Sequence, residues 1–269
     1  MEQIVNKDNA HLQIGREPAI AGVGSQHEAR RLYLGLMKRA LLNLIYGEHE
    51  QQIKEFDERS RIEGREWPAM AHTMIGLARL ENLQHCIEDI LARGVPGDLI
   101  ETGVWRGGAI IFMRAMLKAY EVNDRCVWGA DSFRGLPPPD AAQYPADEGD
   151  ICHTCPELAV TLDEVRSNFE KYGLLDEQCR FWPGWFRDTL PVVPVERLAL
   201  IRLDGDMYES TYVALANLYP KLSRGGYLIV DDYGALPSCR QAVHDFRDAH
   251  GIREDIIPID WTGIYWRRD

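Results

Sequence analysis

The chain has 269 residues, 45% hydrophobic and 27% charged, and its 30 Lys and Arg against 42 Asp and Glu give a net charge of −12. That length can bury a sizeable core and suits one α/β domain with elaborations. So acidic a balance argues against a non-specific nucleic-acid or anionic-membrane surface, because phosphates are held mainly by clustered Lys and Arg.

The N-terminus, Met1-Glu2-Gln3-Ile4-Val5-Asn6-Lys7-Asp8, lacks the basic start and apolar run of a secretory signal. No stretch approaches the ~18 apolar residues of a membrane span. A cytoplasmic protein is expected, with Cys86, Cys126, Cys152, Cys155, Cys179 and Cys239 reduced rather than forming a disulfide framework. Cys152-His153-Thr154-Cys155 has the spacing of half a zinc site, but no second Cys pair completes it.

From Glu28 to Tyr46, Leu32, Leu36, Ala40 and Leu44, with Leu41 and Ile45, recur at helical spacing. A polar stretch, Gly47 to Glu66, leads to Trp67-Pro68, and a second helix is expected from about Ala69 to Arg93, stopped by Gly94, Pro96 and Gly97. Residues 1–93 therefore read as a helical extension, and residues 94–269 as the core. In the core, short β-rich runs alternate with helices, which predicts a parallel sheet. Strands are expected near Leu99–Thr102, Val127–Asp131, Arg180–Trp182, Leu198–Asp204 and Tyr227–Asp231. Helices are expected at Gly108–Tyr120, Leu162–Tyr172, Thr211–Leu222 and Ser238–His250. Ile256–Ile259 and Gly263–Trp266 are too close for a crossover helix and should pair antiparallel, giving a seven-stranded, mostly parallel α/β sheet. The connection from Arg134 to about Thr161, with Pro137-Pro138-Pro139 and Tyr144-Pro145, exceeds the ~15 residues usual for a structureless loop and reads as a lid.

Ligands of open α/β sheets bind at the carboxyl ends of the strands, near the reversal of strand order. The first strand runs into Glu101-Thr102-Gly103-Val104-Trp105-Arg106-Gly107-Gly108. Its glycines allow a sharp turn and close ligand approach, but Trp105 breaks the dinucleotide fingerprint and disfavours a pyrophosphate. Glu101 instead suits a ligand with a cationic group or free hydroxyls. Thirty residues on, Asp131 ends the second strand, where a carboxylate can accept both hydroxyls of a ribose. Asp131-Ser132 alone also reads as a turn or helix cap. At the tip of the third strand, Phe181-Trp182-Pro183-Gly184-Trp185-Phe186 could wall an adenine ring or pack in the core. Leu203-Asp204-Gly205-Asp206 and Val230-Asp231-Asp232-Tyr233 bring four carboxylates to neighbouring strand tips. The only basic residue within these motifs, Arg202, is expected on the face opposite Leu203. The repulsion calls for a hard cation with oxygen ligands, Mg²⁺ foremost, and the lack of His or Cys argues against zinc.

Six strings in order resemble the macrocin O-methyltransferase family: residues 72–76 (His-Thr-Met-Ile-Gly), 100–107, 131–137, 184–191, 202–211 and 230–233 (Val-Asp-Asp-Tyr). The likeness runs from about Leu32 to Arg267. It implies an S-adenosyl-methionine-dependent, Mg²⁺-dependent O-methyltransferase acting on a deoxysugar of a glycosylated antibiotic. Position by position, the resemblance makes Asp204, Asp231 and Asp232 the metal ligands and Asp206 the general base. It puts Thr73, Met74, Glu101, Gly103, Asp131, Ser132, Gly184 and Trp185 around the cofactor, and it suggests a homo-oligomer. Two other readings compete. Asp-x-Asp with Mg²⁺ also serves nucleotide-sugar and phosphoryl-group enzymes, which leave the Glu101 turn and Asp131 unexplained. A non-catalytic nucleoside-binding protein would not need the intact acid cluster.

Overall fold

The computed structural model describes residues 24–47 and 56–269. The N-terminal segment Met1 to Asp8 and much of the polar stretch after Gly47 lie outside the described residues. Five strands run parallel: β1 (Asp98–Thr102), β2 (Val127–Asp131), β3 (Cys179–Pro183), β4 (Leu198–Leu203) and β5 (Leu222–Val230). The terminal hairpin, β6 (Ile257–Pro258) and β7 (Ile264–Arg267), joins antiparallel, and its second strand is the one that pairs with β5. The order β3-β2-β1-β4-β5-β7-β6 completes the expected seven-stranded sheet, and the strand order reverses between the parallel β1 and β4. No helix among the described residues is long and apolar enough to cross a membrane.

Strand alternation feeds two cores. Leu99, Leu200 and Ile229 face one side with residues of α1 (Gly24–Leu41), α3 (Leu77–Arg93), α4 (Gly108–Ala119) and α5 (Leu162–Lys171). Ile100, Ile201 and Leu228 face the other, with α7 (Tyr208–Leu218) and α8 (Pro237–His250). Both faces of the sheet are thus covered, which is why β4, Leu-Ala-Leu-Ile-Arg-Leu, is buried at every position. The helix α4 is buried from Gly108 to Leu117, a stretch apolar nearly all round and enclosed on all sides.

Four local departures from expectation have physical causes. The helix expected from Ala69 begins only at Leu77, after a short α2 (Glu58–Glu63), and residues 64–76 instead cross the carboxyl edge of the sheet. Their carbonyls find long-range donors: Arg61 bonds Met74 and Ile75 at 2.8 and 2.9 Å, and Arg106 bonds Ala69 and Ala71 at 2.7 and 3.1 Å. In α1 the buried stripe is Leu34, Met37 and Leu41, while Leu32 and Leu36 are more than half exposed. Two apolar stripes fit the helical period there, and packing against α4 selects one. The strand β5 starts five residues early because it runs through Gly225-Gly226, where a Cβ on Gly226 would meet the Ala199 carbonyl oxygen at 2.6 Å. Finally, α7 starts at Tyr208 rather than Thr211. Asp147, from the long connection, accepts the Tyr208 and Glu209 amides at 2.6 and 3.0 Å and caps the helix.

That connection is ordered into three short 3₁₀ turns, Pro145–Asp147, Cys152–Thr154 and Pro156–Leu158. Trp105 Nε1 donates to the Glu157 carbonyl at 2.8 Å and ties it to the turn after β1.

Candidate active site

The turn after β1 is dictated by a close approach. Gly103 has φ +81°, and a Cβ there would lie 1.6 Å from the Asp204 carbonyl oxygen, so the chain passes only as glycine. Trp105 also takes a left-handed conformation, φ 45°. The turn is held from the next strand: Asp131 accepts the Val104 amide at 2.7 Å and the Phe133 amide at 2.6 Å.

The acid cluster forms at the carboxyl ends of β4 and β5, where the Asp231 amide bonds the Leu203 carbonyl at 2.9 Å. It is not without counter-charge. A residue opposite Leu203 lies on the same face as Asp204, two positions on, so Arg202 turns into the cluster. In the β1–β4 register Glu101 sits beside Arg202. The buried Arg202 guanidinium bonds Glu101, Asp231 and, at 2.7 Å, Asp204. A second guanidinium, Arg79 of α3, bonds Asp231 and, at 3.0 Å, Asp260. Arg202 lies opposite Leu203 as expected, but the expectation that the carboxylates meet without a basic counter-charge is corrected: Arg202 and Arg79 share the load.

They do not cancel it. Glu101, Asp204, Asp206, Asp231, Asp232 and Asp260 outnumber Arg79 and Arg202, and the excess shows in proton affinity. Burial pushes Glu101 up to about 8 against the pull of Arg202. Burial and then the Asp231 charge raise Asp204 to about 6. Burial and the charges of Asp204, Asp231 and Asp150 raise Asp206 to about 7. Burial and the neighbouring aspartates hold Asp232 well above the usual carboxylate range. Asp204, Asp231 and Asp232 bring one oxygen each within 4.8 Å of one another. Among the described residues no group containing Cys or His does so, Cys152 and Cys155 included. An oxygen-only donor set with uncompensated negative charge fits a hard divalent ion such as Mg²⁺. Asp206, at φ 59°, stands beside the trio with its amide donating to Asp232 Oδ2 at 3.2 Å.

Two cavities open on this edge. The first, about 750 Å³, is lined by Met74, Gly103, Asp131, Ser132, Trp185 and residues of α6 (Phe186–Thr189) and α7. The second, about 1060 Å³, is lined by Thr73, Arg79, Glu101, Arg202, Asp231 and Asp232, with Trp67 and Trp261 among its walls. They meet at Met74, Trp105, Leu158, Asp204 and Asp206, which line both. The structure thus brings five of the eight sequence-nominated cofactor residues into one cleft. Thr73 and Glu101 face the acid side, and Gly184 lines neither cavity, its amide donating to the Asp131 carbonyl at 2.8 Å.

Sequence reasoning missed Arg79, Trp105 and Leu158. Nothing local marks Arg79, 152 residues from Asp231. Trp105, by contrast, carried a signal: a bulky residue in a glycine turn needs a wall to form.

The chain matches the family model described as macrocin-O-methyltransferase (TylF) over residues 47–268. It is 56% identical over 245 residues to the 8-demethyl-8-(2,3-dimethoxy-alpha-L-rhamnosyl)-tetracenomycin-C 4'-O-methyltransferase of Streptomyces olivaceus, covering 89% of this chain and 94% of that one. It is 52% identical over 245 residues to the mycinamicin III 3''-O-methyltransferase of Micromonospora griseorubida, covering 88% and 96%. The solved structure of the O-methyltransferase NovP superposes with a TM-score of 0.86 at 52% identity, covering 89% of this chain and 99% of that one. Matching over most of its length in sequence and in fold, the chain belongs to the macrocin O-methyltransferase family and is an enzyme of that class.

Proposed function

We propose that this enzyme transfers the methyl group of S-adenosyl-methionine to a hydroxyl of a deoxysugar on a glycosylated natural product, with Mg²⁺ at the acid cluster, in antibiotic biosynthesis. One observation carries the reading: two adjoining cavities meet at Asp206, one suited to a nucleoside and the other walled by carboxylates and tryptophans. A donor in the first and a sugar in the second would face each other across that residue. The named substrates of similar enzymes are glycosides such as a rhamnosyl tetracenomycin, which supports a sugar acceptor.

In the donor cleft, Asp131 accepts the Val104 and Phe133 amides and lines the cavity, at the strand tip where a carboxylate can accept ribose hydroxyls. Met74, Gly103, Ser132 and Trp185 border the same ligand, Gly184 supports it from behind, and Thr73 and Glu101 approach it from the acid side. Asp204, Asp231 and Asp232 would hold Mg²⁺; Arg79 and Arg202 fix Asp231, and Arg202 fixes Asp204. Bound there, Mg²⁺ would supply Lewis acidity that lowers the cost of deprotonating a sugar hydroxyl. Asp206 accepts the hydroxyl proton, standing beside the trio where the two cavities meet. Leu136, Pro137 and Leu158 of the lid keep water from the sulfonium, whose charge disappears during transfer. The N-terminal helices, the lid and the core act as one unit around the acceptor, and the exposed Leu32 and Leu36 of α1 suit self-association.

The test is incubation with S-adenosyl-methionine, Mg²⁺ and a panel of glycosylated polyketides, followed by fragmentation mass spectrometry. One added methyl on a sugar ring is expected. Methylation of the aglycone alone, or of no glycoside, would overturn the reading.

A further inference from the structure

The cavity on the acid side has a buried floor and an exposed mouth. Glu101, Arg202 and Asp231 line it at 4% exposure or less, whereas Trp67 lines it while 58% exposed. A side chain that borders a cavity and also faces solvent stands at the opening. The other two tryptophans of the cavity are already engaged. Trp105 Nε1 donates to the Glu157 carbonyl at 2.8 Å, with the Arg106 guanidinium 4.3 Å from the ring centre. Trp261 Nε1 donates to the Glu63 carbonyl at 3.0 Å, with the Arg65 guanidinium 4.6 Å from its ring. Trp67 differs: among the described residues its indole N–H has no hydrogen-bond partner and its ring meets no aromatic or cationic side chain. Its backbone is nevertheless held. It precedes Pro68, which favours an extended conformation, and Arg106 Nη1 donates to the Pro68 and Ala69 carbonyls at 3.3 and 2.7 Å. A large flat ring carried on fixed backbone at the mouth of a ligand cavity offers contact area at little entropic cost.

We infer that Trp67 is the platform on which the acceptor's aglycone stacks, and that it favours a flat aromatic aglycone over a macrolactone. The inference rests on the sugar O-methyltransferase reading above and extends it from the sugar to the group the sugar is attached to. A sugar hydroxyl has to reach the acid cluster at the floor, so the rest of the glycoside extends toward the opening, where Trp67 stands. An indole face and an aromatic face stack with an offset, which is worth about two- to tenfold in affinity beyond the area buried. A saturated macrolactone offers the area alone.

Steady-state methyl transfer by the full chain, with S-adenosyl-methionine and Mg²⁺, tests the platform on two rhamnosides, one of a tetracyclic aromatic polyketide and one of a macrolactone. Wild-type enzyme is expected to have the higher kcat/KM on the aromatic rhamnoside. Trp67→Ala should raise KM for that substrate on the order of tenfold, with kcat within about twofold and S-adenosyl-homocysteine affinity unchanged, and should bring the kcat/KM ratio of the two rhamnosides toward one. Trp67→Phe, which keeps a flat ring, should retain most of the preference. If Trp67→Ala does not fold by circular dichroism, Trp67→Leu, apolar but without a flat face, takes its place in the same comparison. An unmoved KM in the folded variant, an unchanged ratio, or a wild-type preference for the macrolactone would overturn the platform and leave the sugar O-methyltransferase reading standing. Transfer to neither rhamnoside by wild-type enzyme withdraws that reading and the platform together.

Discussion

Arg202 Nη1 lies 2.7 Å from Asp204 Oδ2, two residues along the same strand face, in a cluster that the guanidinium also joins to Glu101 and Asp231. One cation thus holds three carboxylates at the point where strand order reverses. Replacing it with an uncharged residue of similar length leaves the half-buried Asp204 without its guanidinium and the buried Asp231 with Arg79 alone, which costs about 3 kcal/mol. Arg202→Met should therefore lower the urea midpoint sharply at an unchanged m-value. A loss below about 1 kcal/mol would mean that the carboxylates are neutral or solvated without it.

Asp206→Asn keeps the shape of the side chain and tolerates the left-handed backbone at φ 59°. It removes the proton acceptor. Single-turnover methyl transfer should slow by about 10²–10⁴-fold while S-adenosyl-homocysteine affinity stays within a few fold. Near-normal turnover would assign the base elsewhere.

Gly103→Ala would force a Cβ to 1.6 Å from the Asp204 carbonyl oxygen at a φ of +81°. The backbone clash and the conformational strain together should cost on the order of 3 kcal/mol. Because the displaced strand end carries Asp204, activity should fall with stability. A variant as stable as wild type in denaturant melts would show that β1 and β4 can separate there.

His72 gives stability a pH dependence away from the acid cluster. Its Nδ1 lies 2.7 Å from the Tyr172 hydroxyl, and burial, with the Lys171 and Arg106 charges, lowers it from 6.5 to about 4. Below pH 6.5 the unfolded chain takes up a proton that the folded chain refuses, so this contribution is full above 6.5 and declines as pH falls toward 4. His72→Gln should make the fall of Tm between pH 6.5 and 4 shallower than in wild type. An unchanged slope would show that His72 protonates freely in the folded state.

The sheet and most of the donor cleft were legible because each parallel strand is a largely apolar run that ends in, or is followed at once by, Gly or Asp, and strand tips are where α/β sheets bind ligands. Arg202 was legible too. Period-two alternation puts it with Asp204, and setting it opposite Leu203 says the same thing once carried one residue further. The start of α3, the start of α7 and the place of Arg79 were not. Each is decided by a partner distant in the chain: Arg106 holding carbonyls 35 and 37 residues before it, Asp147 capping a helix 61 residues on, and Asp231 receiving Arg79 across 152 residues. The buried face of α1 was ambiguous for another reason, since two leucine stripes satisfy one helical period and only packing separates them.

The rate of methyl transfer to a rhamnosylated aromatic polyketide, measured after EDTA dialysis and again after Mg²⁺ is restored, tests the aspartate cluster most directly. Removal should cut turnover on the order of 100-fold or more, with the fold intact by circular dichroism, and Mg²⁺ should restore it in wild type but not in Asp231→Asn. Undiminished transfer by the dialysed enzyme would contradict a metal role for Asp204, Asp231 and Asp232.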